Sequence, residues 1–176
     1  MRKIAFTGRQ TLGAAALITA GLLTAGAAAT ASASGQSSAD TASHGQPTEQ
    51  EIRALFDEWN DALATGDPEV VADRYAADAV LEPTLSNRIR TDREGIVDYF
   101  EHFLAQDPDG EINESYVDIL SHNAAVDSGA YTFHLTDPET GEQRDVAARY
   151  TFVYEKDPAT GEWLIVNHHS SAMPEG

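Results

Sequence analysis

The chain has 176 residues, carries 29 Asp and Glu against 11 Lys and Arg, is 41% hydrophobic and contains no cysteine. That length suits one domain of ordinary globular composition. A net charge of −18 argues against nucleic acid or an anionic membrane surface as a partner, because both need dense cations to release counterions. Without cysteine there is no disulfide framework, thiol nucleophile, thiolate zinc site or iron–sulfur cluster.

Residues 1–33 read as an export signal. Arg2, Lys3 and Arg9 make a basic start, Thr11 to Ala29 is apolar and rich in small residues, and Ala31-Ser32-Ala33 fits a small-x-small cleavage site. The alternative is an uncleaved membrane anchor. The apolar run is about the minimum length for spanning and mostly weakly hydrophobic Ala and Gly. That favours cleavage after Ala33 and a secreted, extracytoplasmic protein with no membrane attachment once cleaved. Residues 34–47 are polar and Ser/Gly-rich, the composition of a disordered tether. The folded domain is expected over 48–176.

Thr48 with Glu51 forms a capping box, after which Ile52, Leu55, Phe56, Trp59 and Leu63 recur at helical spacing until Gly66. Asp67-Pro68 caps a short second helix carrying Val70, Val71 and Tyr75. Ala79 to Thr84 reads as a brief strand stopped by Pro83. Thr91 with Glu94 opens a third helix bearing Ile96, Val97, Phe100, Phe103 and Leu104. Beyond the Asp107-Pro-Asp-Gly110 turn the chain reads as four strands, over 111–120, 128–136, 145–155 and 162–172. Two similar turns, Asp137-Pro-Glu-Thr-Gly141 and Asp157-Pro-Ala-Thr-Gly161, join the last three into an antiparallel meander. The expectation is an α+β domain: a curved antiparallel sheet with three N-terminal helices over its concave face, enclosing a pocket.

Alternation and turn position suggest what enters that pocket. Centring the first turn on Thr140 sets Tyr131 opposite Arg149. Centring the second sets Thr151 beside His168 and Arg149 beside Ser170, or one pair along if the register slips. Tyr131, Arg149, Thr151, His168 and Ser170 then form one polar row. The opposite set, Tyr150, Phe152, Tyr154, Ile165, Asn167 and His169, is aromatic enough to be the core side or a subunit interface. Alternation does not decide between these, but an exposed aromatic surface is a liability, so the expectation is that this set packs against another subunit in an oligomer.

The last strand, Trp163-Leu-Ile-Val-Asn-His-His-Ser-Ser-Ala-Met-Pro174, resembles the ending of the SgcJ/EcaC group. That group is similar to the association domain of calcium/calmodulin-dependent protein kinase II. Gly66-Asp67, Glu82-Pro83 and Gly95 also match. The resemblance implies a nuclear transport factor 2-like cone, the SnoaL-like superfamily that includes ketosteroid isomerase and scytalone dehydratase. It implies assembly into homodimers or larger homo-oligomers through the sheet. The arginines that line the kinase domain's cavity correspond here to Tyr131, Thr151 and Ser170, so that domain's small-acid ligands do not transfer. Asn167 stands where the pattern has His.

His168 and His169 are neighbours on a strand and point to opposite faces, so they do not chelate one metal in regular geometry; no metal and no cofactor is expected. His168 could act as an acid–base group or serve as a polar plug bonded to Tyr131 or Ser170. Arg149, if buried, pairs with Glu82 or with an anionic ligand. Glu82 as base and Tyr131 as oxyanion donor could support isomerase-like chemistry. Trp59 and Phe103 join the ligand-binding candidates, although helical spacing also suits them to the core. Two functions remain open. One is a secreted small-molecule binder acting, where it acts at all, without a cofactor: an oxidoreductase by family label, or isomerase- or cyclase-like. The other is a non-catalytic homo-oligomerisation module without kinase activity.

Overall fold

The computed structural model describes residues 45–174. The expected export segment and residues 34–44 of the expected tether lie outside the described residues. Helix α1 spans Glu49–Ala64 and starts as the capping box requires, with Thr48 Oγ1 accepting from Glu51 N at 3.2 Å and Glu51 Oε2 accepting from Thr48 N at 2.6 Å. Its buried stripe is Ile52, Phe56, Trp59 and Leu63, and Gly66 leaves the helix at φ +69°. Helix α2 is shorter than its apolar spacing suggests, Pro68–Ala72; Tyr75 lies beyond it and opens strand β1, Tyr75–Glu82. Helix α3 spans Arg93–Leu104 and is capped by Asp92 rather than Thr91. The Asp92 carboxylate accepts from Gly95 N at 2.8 Å, which starts the helix one residue later.

Strands β2 (Asp109–Ser121), β3 (Ala124–Thr136), β4 (Gln143–Lys156) and β5 (Trp163–Ala172) form the meander. The sheet order is β1-β5-β4-β3-β2, with β1 parallel to β5 and the other pairs antiparallel. Both turns are built alike. The Asp137 carboxylate accepts from the Glu139 and Thr140 amides, as that of Asp157 does from Ala159 and Thr160. Gly141 and Gly161 take the left-handed conformation that a Cβ would disfavour.

The register corrects the expected polar row. Asp137 N donates to Glu142 O at 2.8 Å, so the first turn is centred between Glu139 and Thr140, half a residue earlier than expected. Tyr131 therefore opposes Ala148, and Arg149 opposes Ala130. The second hairpin begins in the expected register, with Lys156 opposite Trp163, but a bulge at Val166 shifts the pairing so that His168 faces Phe152 and Ser170 faces Tyr150. One residue of slip exchanges faces. Tyr131, His168 and Ser170 thus share the inner face with Tyr150, Phe152 and Tyr154, while Arg149 and Thr151 lie with His169 on the outer face.

The helices cover that inner face. Tyr150, Phe152, Tyr154 and Ile165 are buried beneath them, so these four form core, not a subunit interface; Asn167 and His169 are on the other side. Phe56 of α1 packs against Tyr131, Tyr150 and Phe152 with ring centroids 6.2–6.3 Å apart. Each buried aromatic of this kind contributes about 2–3 kcal/mol of apolar burial. A second bulge, at Asn113 on edge strand β2, brings the Glu114 carbonyl over Gly129. A Cβ at Gly129 would lie 1.9 Å from that oxygen, so only glycine fits there.

Candidate functional site

The α1 stripe, the first residue of β1 and the inner row of β5 meet at three polar groups inside the aromatic core. Trp59 Nε1 donates to Tyr75 Oη at 3.1 Å, and Tyr75 Oη lies 2.9 Å from His168 Nδ1. Their convergence is a packing result: the bulge at Val166 turns His168 inward, and α1 lays Trp59 across it. The His168 ring stacks on Phe152 with centroids 4.0 Å apart and takes the edge of Trp59 at 5.4 Å. It is 4% exposed. Burial strips water from the charged form and pulls its pKa down to about 3, so the imidazole is neutral at physiological pH. Its Nε2 has no hydrogen-bond partner among the described residues.

A second polar chain runs beside it. Tyr131 Oη donates to Ser170 Oγ at 2.6 Å, and Ser170 Oγ is hydrogen-bonded to Thr84 Oγ1. Burial raises the Tyr131 pKa, so this phenol is a neutral donor. His168, Tyr131, Ser170 and Thr84 line a cavity of about 30 Å³, whose remaining wall includes Trp59, Leu81, Tyr99, Phe100, Phe103 and Phe133. That volume suits about two water molecules. Among the described residues, no charged side chain lines it.

The loop between β1 and α3 closes one side. Its ends are pinned by paired hydrogen bonds between Leu81 and Arg90, and it carries Thr84 and Leu85 to the cavity. Arg90, 9% exposed, donates to Ser86 Oγ and the Arg88 carbonyl, reaches Asp98 at 3.4 Å and lies over the Tyr99 ring. Leu85, Tyr99 and Phe103 also border a surface depression of about 280 Å³.

Of the residues singled out from sequence, Tyr131, His168, Ser170, Trp59 and Phe103 line this cavity, whereas Arg149 and Thr151 do not. Arg149 is solvent-exposed on the outer face, so it needs no buried partner. Glu82 is also on that side, its Oε2 3.5 Å from His169 Nδ1, and does not pair with Tyr131 across the cavity. The base and oxyanion donor of isomerase-like chemistry are therefore not brought together. His168 bonds Tyr75 rather than Tyr131 or Ser170. Tyr75 reads from sequence only as part of an apolar helix face, and Thr84, Leu85 and Arg90 do not stand out. The one signal for that loop is the break in the strand at Pro83. No group of three His, Cys, Asp or Glu residues is arranged to hold a metal ion among the described residues.

A family model described as the calcium/calmodulin dependent protein kinase II association domain matches residues 48–174. The chain is similar to a structure from Xanthomonas campestris assigned to that domain, at 57% identity and TM-score 0.71, over 74% of this chain and 91% of the other. It is also similar to a nuclear transport factor 2-like protein from Salmonella enterica, at 18% identity and TM-score 0.61, over 72% and 91% of the two chains. A ketosteroid isomerase-like protein from Erwinia carotovora aligns at 21% identity and TM-score 0.58, over 70% and 95%. At such identities the last two establish the fold alone, a nuclear transport factor 2-like cone. No curated protein matches the chain.

Proposed function

Because the chain belongs to the calcium/calmodulin-dependent protein kinase II association-domain family, we propose that it is a secreted small-molecule-binding protein whose cone cavity, not any kinase chemistry, carries its function. The observation that carries this reading is the buried Nε2 of His168, unpartnered among the described residues, in a side chain that borders an aromatic-lined cavity. A buried polar atom without a partner costs about 1–3 kcal/mol, a cost that a ligand group bonded to it relieves. Binding is favoured over catalysis because the residues lining the cavity supply neutral hydrogen-bonding groups and no carboxylate base. A ligand larger than the 30 Å³ cavity enters by displacement of Leu85, which is 43% exposed and borders both the cavity and the adjoining depression. Export rests on the three-part segment at residues 1–33 and requires a mature N-terminus at Ser34.

The small cavity volume favours a second reading, a non-catalytic homo-oligomerisation module. In that reading the outer sheet face, where Tyr116 and Leu120 are 65% and 61% exposed, meets another copy. Native mass spectrometry of protein purified from culture supernatant separates the two. A molecule released on denaturation, and lost in His168→Phe, supports the binding reading. A homo-oligomer that carries nothing and gains nothing from small-molecule libraries supports the second. A secreted mass that begins elsewhere than Ser34 overturns the cleavage assignment.

A further inference from the structure

The proton positions around His168 follow from the donor inventory. An indole N–H only donates, so Tyr75 Oη accepts from Trp59 Nε1 at 3.1 Å. The Tyr75 hydroxyl proton then needs an acceptor inside the core, and His168 Nδ1 at 2.9 Å is its remaining hydrogen-bond partner. Nδ1 therefore holds the lone pair, and the single proton of the neutral ring sits on Nε2. Tyr75 does not line the cavity, whereas His168 does. With Tyr75 on the Nδ1 edge, Nε2–H is the ring's unpartnered donor among the described residues; it is fully buried, so a ligand oxygen reaches it as the cavity widens on displacement of Leu85.

The hydroxyl chain adds a second donor. Tyr131, Ser170 and Thr84 hold three hydroxyl protons and make two hydrogen bonds to one another, which leaves one proton free at the Ser170–Thr84 end. Ser170 is two residues along β5 from His168 on the same face, and both line the cavity. No cation is present among the lining residues to offset the burial of an anion, and no carboxylate to offset that of an amine. An unpaired buried charge costs several kcal/mol.

On the premise that the cavity binds a small molecule, we infer that its ligand class is an uncharged carbonyl compound, a ketone, aldehyde or ester on an apolar skeleton, whose oxygen accepts from His168 Nε2–H. Trp59 and Tyr75 are positioning residues that lock this donor, and carboxylates and amines are rejected.

The test compares three probes of one size, acetophenone, benzoate and ethylbenzene, by ligand-observed NMR titration of the purified protein. Acetophenone is expected to bind about tenfold more tightly than either of the others, the equivalent of one net hydrogen bond. Tyr75→Phe is expected to erase most of its advantage over ethylbenzene while leaving ethylbenzene unchanged. Benzoate binding as tightly as acetophenone overturns the inference and leaves the binding reading standing. Ethylbenzene binding as tightly as acetophenone overturns the donor role. Failure of all three probes counts against the binding reading itself. A ligand-free readout runs alongside: imidazole ¹⁵N shifts are expected to give the Nε2–H form in the wild type and a tautomer mixture in Tyr75→Phe. An Nδ1–H form in the wild type overturns the lock.

Discussion

His168 makes the stability of this fold acid-sensitive. Its folded-state pKa of about 3 lies below the ordinary value of 6.5 because burial removes water from the imidazolium. Between those values the unfolded chain binds more protons than the folded one, so the stabilisation is complete above the unfolded value and is lost as pH falls. Linkage gives a loss of about 2 kcal/mol from pH 8 to pH 5, growing to about 4–5 kcal/mol near pH 3. Other groups titrate over the same range, among them His134, raised by its hydrogen bond to Asp145, and Asp127, raised by burial. They are common to wild type and His168→Gln, so the difference between the two isolates His168. Denaturant unfolding, followed by the fluorescence of Trp59 and Trp163, would be run at several pH values for both proteins. The wild type should lose about 2 kcal/mol relative to the variant between pH 8 and pH 5. In thermal unfolding that corresponds to a relative fall of about 8 °C in Tm. Parallel stability curves would refute the reasoning, as would an NMR titration showing the His168 ring protonating near 6.5 in the folded protein.

Gly129→Ala should lower stability by about 1–3 kcal/mol or more, seen as a fall in Tm, because the new Cβ would lie 1.9 Å from the Glu114 carbonyl oxygen. Asp92→Ala should cost about 1 kcal/mol in denaturant unfolding, whereas Thr91→Ala should cost under about 0.5 kcal/mol, since Asp92 caps α3. Arg149→Ala, on the outer face, should leave ligand release in native mass spectrometry unchanged and shift stability by less than about 0.5 kcal/mol. Asp145→Asn should lower the His134 titration midpoint measured by NMR, because the 2.8 Å hydrogen bond to that carboxylate is the main cause holding it up. The stabilisation from that pair is present below the unfolded histidine value and is lost as pH rises through the folded one.

Element order was legible in the sequence because each element is specified locally. The Thr48–Glu51 box, the Phe56–Trp59–Leu63 spacing and the repeated Asp-Pro-x-Thr-Gly turns act through neighbours within a few residues. Errors at this level were small and had local causes: a carboxylate at Asp92 displacing Thr91 as cap, and α2 ending at Ala72 so that Tyr75 opens β1. The Trp163–Pro174 ending carried enough pattern to identify the family.

The site was legible only in part. Strand parity groups Tyr131, His168 and Ser170, as the structure does, but parity taken from Thr140 without a bulge also places Arg149 and Thr151 with them. Parity amplifies small errors: half a residue at Thr140 and one extra residue at Val166 are enough to exchange faces. Tyr75 joins His168 across 93 residues of chain, a contact that no local rule reports. The sequence by itself determined the order and type of the elements, because helix caps, turn residues and hydrophobic periods are short-range properties. Only the tertiary structure decided which polar groups share the cavity and which ring nitrogen of His168 is bonded to Tyr75, because those depend on sheet register and on the packing of α1 against β1 and β5.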